Sequence, residues 1–446
     1  MPPRIAGPAP HLRQRVLLVT HHFTPEAGAP VRRWEALIER LSPLGFEFGV
    51  LAPPPHHASG KLIDPAPQYR PGRVSTGPRG ERIVRTCYRA HSTGLLSRTR
   101  DQVVAAASAV PLGLRHFRHR STRPHIVIGT VPGIPSMFAA WALARLLGAK
   151  YVVEMRDAWP DLIAPSGMLG TSSRLGVRRR LRLFLTRMAH RSITRLQSRA
   201  DLVVTTTETF GAVLRERGQR SVAVVRNGTK LPMATHEFDT PRADAGASDP
   251  LCQRPPDRPG VDRPLRALYL GTIGRAQSLD CVVKAAAIVA QRGHKLEVRI
   301  VGRGAHTARV RHLARRLEAP VSVETPVPHD EALELYRWAD TAVIALHGWG
   351  PFEWTIPSKV YEVMARGTTV TAALAGEAAD LVRDHGAGVV VEPDNPEALA
   401  GLWCSWCEAG AVPPVSPDAA RWVEEHATWD VLAEEYARVL GGLAAS

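Results

Sequence analysis

The stretch Val16-Leu17-Leu18-Val19-Thr20, the loop His21–Pro30, the residues Trp34, Leu37, Ile38 and Leu41, then Gly45 and Phe46–Leu51 decides the fold. A short unbroken apolar run bounded by turn-forming residues reads as a strand buried on both faces. The spacing i, i+3, i+4, i+7 that follows reads as a helix with one apolar stripe, ended by a glycine. Strand, helix and second strand in immediate succession make the opening of a βαβ unit. Working outward, further strand-like runs stand at Ile126–Ile128, Tyr151–Met155, Leu202–Thr206 and Val222–Val225, with helical patterns between several of them. This alternation predicts a doubly wound parallel sheet.

The pattern breaks at residues 233–264. His236–Arg263 is rich in Pro, Asp and Gly, lacks an apolar period and reads as a mobile interdomain linker. The alternation restarts with strands expected at Leu265–Leu270, Leu296–Val301, Val321–Thr325, Thr341–Leu346, Thr369–Ala373 and Gly388–Val391. The expected organisation is an N-terminal α/β domain over 1–232, the linker 233–264, a second α/β domain over 265–415, and a helical tail over 416–446 that is a candidate to pack back on the first domain. Two doubly wound, Rossmann-like parallel-sheet domains facing a cleft suit a ligand held outside the carboxyl ends of the strands.

Composition bounds the function. The 446 residues, 44% hydrophobic and 22% charged, suffice for two sizeable cores and exclude a wholly disordered chain. The net charge is +15, and only six of the 57 cationic residues are lysines. The arginine excess has two readings: GC-rich codon usage, or an anionic partner such as nucleic acid, a phosphorylated ligand or a membrane surface. Basic patches interleaved with aromatics, as nucleic-acid stacking requires, are not evident, so no nucleic-acid partner is expected. The longest apolar run, Val103–Leu114, contains Pro111 and falls short of the ~20 residues of a membrane span. The N-terminus lacks a signal-peptide core, and five scattered cysteines argue against a disulfide framework and for a reducing compartment. Cys404-x-x-Cys407 has no second ligand pair and reads as helix-face packing rather than zinc.

Chemistry concentrates at the ends of the predicted strands. Gly28, in Glu26-Ala27-Gly28-Ala29-Pro30, sits where small residues let a ligand approach the backbone ahead of a helix N-terminus; a plain turn is the other reading. Arg156 and Asp157 belong to the charged run Glu154–Asp161 at the end of another strand, facing a ligand or forming an ion pair with each other. In the second domain Gly271-Thr272-Ile273-Gly274-Arg275 and Gly302-Arg303-Gly304 end consecutive strands and together suggest a diphosphate cradle. Lys359 and Glu362 open the helix after Pro357, a cation for phosphates and a carboxylate for a ribose diol, or else a solvent-facing helix start. Arg174–Arg199 carries nine arginines and no acid, with Leu181, Phe184, Leu185 and Met188 at helical spacing; it fits either an anionic membrane surface or an ordinary core face with solvated arginines.

These motifs, in their order, resemble family 4 glycosyltransferases of the GT-B fold, and more closely the branch of bacterial O-antigen and polysaccharide amino-sugar (fucosamine-type) transferases. The resemblance rests on Pro25–Arg33 (PEAGAPVRR), Arg156–Asp161 (RDAWPD), Asn227-Gly228, Tyr269–Asp280 (YLGTIGRAQSLD), Val301–Gly304 (VGRG), Pro357–Glu362 (PSKVYE) and Gly376–Leu381 (GEAADL). It implies that Glu362, matching the second glutamate of the family's E-x7-E motif, binds the nucleotide ribose. It implies that Gly28 lies near the donor phosphates and the acceptor, and that Arg275 and Lys359 neutralise the leaving diphosphate. Glu377 matches the Gly-Glu pair of the branch. Two departures stand out. Trp354 occupies the position of the first motif glutamate, with Glu353 displaced by one, and Thr272 and Gln277 stand where the wider family has Arg and Lys.

The activity implied is a retaining transfer from a nucleotide sugar, most simply a UDP-sugar, to a polyprenyl-diphosphate-linked or polysaccharide acceptor at the cytoplasmic face of the cell membrane. No Asp-x-Asp pair stands at a strand end, so cations and helix dipoles, without metal or other cofactor, are expected to stabilise the leaving group. Asp157 is a candidate local base or positioning group. A nucleotide-sugar 2-epimerase, an antibiotic-tailoring transferase of the same fold, and a non-catalytic basic membrane-binding protein remain as alternatives.

Overall fold

In a computed structural model the structure describes residues 13–26, 28–56, 60–92, 95–131, 133–163, 176–231 and 258–445. The chain divides into two compact units, 1–228 with 429–446, and 229–428. The N-terminal unit begins with β1 (Gln14–Val19), α1 (Ala29–Leu41) and β2 (Phe46–Ala52), as the opening βαβ pattern requires. Then come β3 (Val74–Thr76), β4 (Arg82–Arg85), α2 (Leu95–Phe117), β5 (Ile126–Val131), α3 (Ile134–Leu147) and β6 (Lys150–Met155). The unit's chain continues through α4 (Gly176–Gln197), β7 (Leu202–Thr205), α5 (Glu208–Glu216) and β8 (Val222–Val224). The strands form one sheet in the order β3-β4-β2-β1-β5-β6-β7-β8. Every pairing is parallel except β3 with β4. The order reverses between β1 and β5, which places the switch point at the loop after β1.

The predicted stripe on α1 is the buried one: Trp34, Leu37, Ile38 and Leu41 are all within the core. The edge hairpin β3–β4 and helix α2 were not anticipated. β3 is only three residues long and mostly exposed, so it carries no alternation to read. In α2, Pro111 lies inside the helix, where a proline costs a backbone hydrogen bond, and the apolar run Val103–Leu114 is part of it rather than a separate feature.

The second unit contains β9 (Leu265–Thr272), α6 (Leu279–Gln291), β10 (Leu296–Arg303), α7 (Thr307–Arg316), β11 (Val321–Glu324), α8 (His329–Trp338) and β12 (Thr341–Ala345). It continues with α9 (Ser358–Ala365), β13 (Thr369–Ala373), α10 (Glu377–Asp384), β14 (Gly388–Val391), α11 (Pro396–Ala409) and α12 (Pro417–His426). Its sheet runs β11-β10-β9-β12-β13-β14, all parallel, with the switch point between β9 and β12.

The tail expected as one segment over 416–446 is divided. α12 packs in the second unit, with Ala419 and Val423 in its core. The final helix, α13 (Trp429–Ala445), belongs to the N-terminal unit, where Trp429, Leu432, Ala433, Tyr436 and Leu440 join the core of Trp34 and Phe48. Tyr436 meets Trp34 edge to face at 5.7 Å. In the sequence Pro417–Gly442 reads as one helical segment; that it is two helices serving different cores is not legible there. Residues 232–257, most of the expected linker, lie outside the described residues. Its end, from Arg258, is part of the second unit, where Arg263 makes a bidentate pair with Asp340 at 2.6 and 2.7 Å.

Candidate functional site

In the second unit the loops after β9 and β10 are pressed backbone to backbone. A Cβ at Gly302, whose φ is +159°, would lie 1.8 Å from the Gly271 carbonyl oxygen, and one at Gly304 would lie 2.1 Å from that of Ile273. Only glycine permits this approach. The two loops are tied by Ile273 N–H donating to Arg303 O at 3.1 Å and His306 N–H donating to Ile273 O at 3.0 Å. The N–H of Gly274 donates to Gln277 Oε1 at 3.0 Å, and that of Gly304 to Thr307 Oγ1 at 3.0 Å. These two amides are therefore spent within their loops. What the loops present outward is charge, because Arg275 and Arg303 are both exposed. Burial, Arg309 and then Arg275 pull His306 below its ordinary value, so the Arg275 charge reaches across to the β10 loop.

Several residues beside these loops carried no sequence signal. The loop after β12 is fastened to the one after β9 by His347 N–H donating to Ala276 O at 2.9 Å. Asp394 collects hydrogen bonds from Ser278 Oγ, from His347 Nδ1 at 2.8 Å and from the Gly348 amide at 2.9 Å. Burial pushes this carboxyl up, but those donors outweigh it and hold Asp394 below its ordinary value. His347, Trp349 and Phe352 stack face to face at 5.0 and 5.1 Å, a half-buried aromatic shelf at the strand end. Trp354, in place of the expected glutamate, is half-buried.

Glu377 opens α10 behind Gly376, where a Cβ would lie 2.1 Å from the Glu353 carbonyl oxygen, and the Glu377 amide donates to that same oxygen at 3.0 Å. The displaced Glu353 thus joins this loop through its backbone. Lys359 and Glu362, expected to act on different parts of a ligand, touch each other on the first turn of α9: Nζ is 2.7 Å from Oε2. Lys359 Nζ also reaches the Tyr336 hydroxyl at 3.5 Å, and the Arg366 guanidinium lies 5.1 Å over the Tyr336 ring. Burial first, then the Glu362 charge, raises the Tyr336 hydroxyl well above its ordinary range.

In the N-terminal unit Gly28 is the N-cap of α1, with φ +155°, Pro30 at the helix start and a clear 3.5 Å to the nearest atom a Cβ would meet. Its backbone angle, not crowding, favours glycine. Arg156 and Asp157 follow β6, both half-buried. Arg156 Nε donates to Val131 O at 3.1 Å, pinning it to the end of β5. Burial pushes the Asp157 carboxyl above its ordinary value, opposed by Arg156.

Neighbours in the same motifs are structural. Arg33 is buried against Glu154 at 2.9 Å and donates to the carbonyls of Val225 and Arg226; Trp34 Nε1 donates to the other Glu154 oxygen at 2.9 Å. Asp161 makes a bidentate pair with Arg217 at 2.7 and 2.9 Å.

Cys404 and Cys407 are buried in the core of the second unit. Of the basic stretch, Arg174 and Leu175 lie outside the described residues, as do the side chains of Leu181 and Leu185. In α4 Phe184 and Met188 are exposed, at 59% and 43%, beside exposed Arg187 and Arg191, while Ile193 and Leu196 are buried. Among the described residues no helix is long and apolar enough to cross a membrane.

Comparison with known proteins gives two family matches, "Glycosyl transferase 4-like domain" over residues 28–228 and "Glycosyl transferases group 1" over residues 264–406. A protein of Escherichia coli (strain K12) named as a colanic acid biosynthesis glycosyl transferase, WcaI, is 24% identical over 397 residues, covering 87% of this chain and 91% of the relative. One of Pseudomonas aeruginosa named as a glycosyltransferase, WbjE, is 25% identical over 327 residues, covering 72% and 74%. Among solved structures, Anabaena Alr3699/HepE in complex with UDP and glucose superposes with a TM-score of 0.61 at 13% identity, over 97% of this chain and 100% of the other.

Proposed function

From the premise that the chain belongs to the family 4 glycosyltransferases of the GT-B fold, we propose that it transfers a sugar from a UDP-sugar, with retention, to a polyprenyl-diphosphate-linked or polysaccharide acceptor in cell-surface polysaccharide synthesis. The names of the relatives WcaI and WbjE and the UDP bound in HepE support the class of pathway and the nucleotide. The observation that carries the reading is the pair of exposed arginines, Arg275 and Arg303, on two strand-end loops that glycines bring into backbone contact.

A leaving nucleoside diphosphate gains charge as the C1–O bond breaks, and pre-placed cations stabilise it at that moment. Because the Gly274 and Gly304 amides are engaged internally, this work falls to Arg275, with Gly302 and Gly274 shaping the loop and Arg303 beside it. Glu362 is assigned to the ribose hydroxyls. Lys359, now paired with Glu362, would turn from carboxylate to phosphate when the donor enters. The acceptor oxygen forms its bond to C1 on the face the diphosphate leaves, and its proton passes to the departing phosphate oxygen.

Gly28, Arg156 and Asp157, at the carboxyl edge of the N-terminal sheet, are assigned to the acceptor, Asp157 as a positioning group. Glu377 is assigned to the donor. With Trp354 at the glutamate position and an aromatic shelf at Trp349, an apolar-faced sugar, deoxygenated or N-acylated, suits the site better than a fully hydroxylated one. Exposed Phe184 and Met188 among arginines support contact with an anionic membrane surface.

Incubation with a panel of UDP- and GDP-sugars and a polyprenyl-diphosphate-linked sugar tests this. Transfer from a UDP-sugar is expected, with Arg275→Ala lowering kcat/KM by about 100-fold or more. Conversion of the free nucleotide sugar without acceptor would establish an epimerase instead. Unchanged turnover in both Arg275→Ala and Lys359→Ala would refute the phosphate assignment.

A further inference from the structure

Four histidines and a carboxylate from four segments of the chain meet at the carboxyl edge of the N-terminal sheet: His21 after β1, His56 after β2, His91 after β4 and Asp101 on α2, with His22 alongside. The ligand atoms of His56, His91 and Asp101 all lie within 4.8 Å of one another. Their side chains are buried, at 1%, 4% and 0% exposure. We propose that His56 Nε2, His91 Nε2 and Asp101 Oδ2 form a binding site for one Zn2+ ion.

The tautomers point the same way. His56 Nδ1 is 3.0 Å from the Pro54 carbonyl oxygen and His91 Nδ1 is 2.9 Å from that of Ser92. A carbonyl can only accept, so each Nδ1 carries the hydrogen, which leaves Nε2 as the nitrogen through which each ring would bind a metal. Metal-bound imidazoles are oriented by this same kind of bond from the other ring nitrogen. The carboxylate is prepared likewise: Asp101 Oδ1 accepts from the Arg89 amide at 2.7 Å. His56 Nε2 is buried with no hydrogen-bond partner, and Asp101 Oδ2, also buried, has His21 Nε2 beside it at 3.2 Å. A buried, unpartnered lone pair and a buried carboxylate oxygen within reach of it are what a cation satisfies.

Two imidazoles and one carboxylate suit Zn2+, whereas Mg2+ and Ca2+ take oxygen-rich shells; His21 or water would fill the fourth position. The loops are built to meet. Gly60, with φ +74°, comes so close to His91 that a Cβ would lie 2.1 Å from its carbonyl oxygen, and Glu26 accepts from the His56 amide at 3.2 Å while holding His22 Nδ1 at 2.6 Å. The ion would fasten the loops after β2 and β4 to α2, on the sheet edge that also carries Gly28. This departs from the sequence expectation of no metal, which rested on the lack of a local ligand motif.

The test uses the full chain without a histidine tag. The protein is stripped with a chelator, its fold is checked by circular dichroism, and Zn2+ is titrated by calorimetry with metal content measured after gel filtration. One Zn2+ per chain is expected, with a thermal midpoint that falls on stripping and recovers on re-addition. His56→Gln and His91→Gln should each weaken binding by about 100-fold or more, and His22→Gln by only a few-fold. A folded wild-type chain that takes up no Zn2+ overturns the proposal, whatever the variants do. So does binding that survives both His56→Gln and His91→Gln, or that is lost in His22→Gln while His91→Gln retains it.

Discussion

Asp157 shows how much a residue's surroundings decide. Burial raises its carboxyl above the ordinary value, so the folded protein holds that proton more tightly than the unfolded chain. Such a group favours folding only in acid and loses its contribution as pH rises through the raised value. Asp157→Asn removes the partly desolvated charge. It should therefore unfold at higher denaturant concentration than the wild type at neutral pH, with the gap closing as the pH falls into the carboxylate range. Denaturation curves across that range check this; a variant less stable than wild type at neutral pH would show Asp157 to be a structural partner. The adjacent charged residues had no such ambiguity once folded. Glu154 and Asp161 stand in the same short run, yet one is locked to Arg33 and the other to Arg217. The run's position at a strand end was legible; the sorting into structural and available carboxylates depends on α1 and α5, which arrive from elsewhere in the chain. The histidines make the same point more strongly, since His21, His56 and His91 lie 35 residues apart, far beyond the spacing of a local ligand motif.

At the scale of elements, the buried triad of Arg33, Trp34 and Glu154 joins α1 to β6. Both charges are essentially inaccessible to water, at 1% and 0% exposure. Removing one partner of a buried ion pair leaves the other charged and desolvated, at a cost of about 3–5 kcal/mol. Glu154→Gln, which also turns an amide donor toward either Arg33 or the Trp34 N–H, should lower stability by about that amount in urea titration. A loss below about 1 kcal/mol would mean that the carbonyls of Val225 and Arg226 suffice for Arg33. The elements were most legible where an apolar run is sharply bounded or a stripe keeps its spacing: β13 and β14 fall on the expected residues, and the α1 stripe is the core stripe. They were least legible where the edge of the sheet is short and exposed, as in β3, and where a proline interrupts an apolar run, as in α2.

For the whole molecule, the repeated α/β alternation was enough to predict two doubly wound sheets, because each strand's apolar run and each helix's stripe are local properties. The division of the tail was not: α12 packs in the second unit, while Trp429–Ala445 packs against α1 and β2 residues nearly four hundred positions earlier. The N-terminal unit is thus assembled from both ends of the chain. The functional claim depends on the second unit, where glycine-enforced contact between two loops leaves Arg275 and Arg303 facing outward. Calorimetric titration of the whole protein with UDP tests that claim most directly. Saturable binding of one UDP per chain is expected, weakened about 10- to 100-fold by Arg275→Ala with the fold intact. Absence of binding by the folded wild type, or an affinity that Arg275→Ala and Arg303→Ala both leave unchanged, would contradict it.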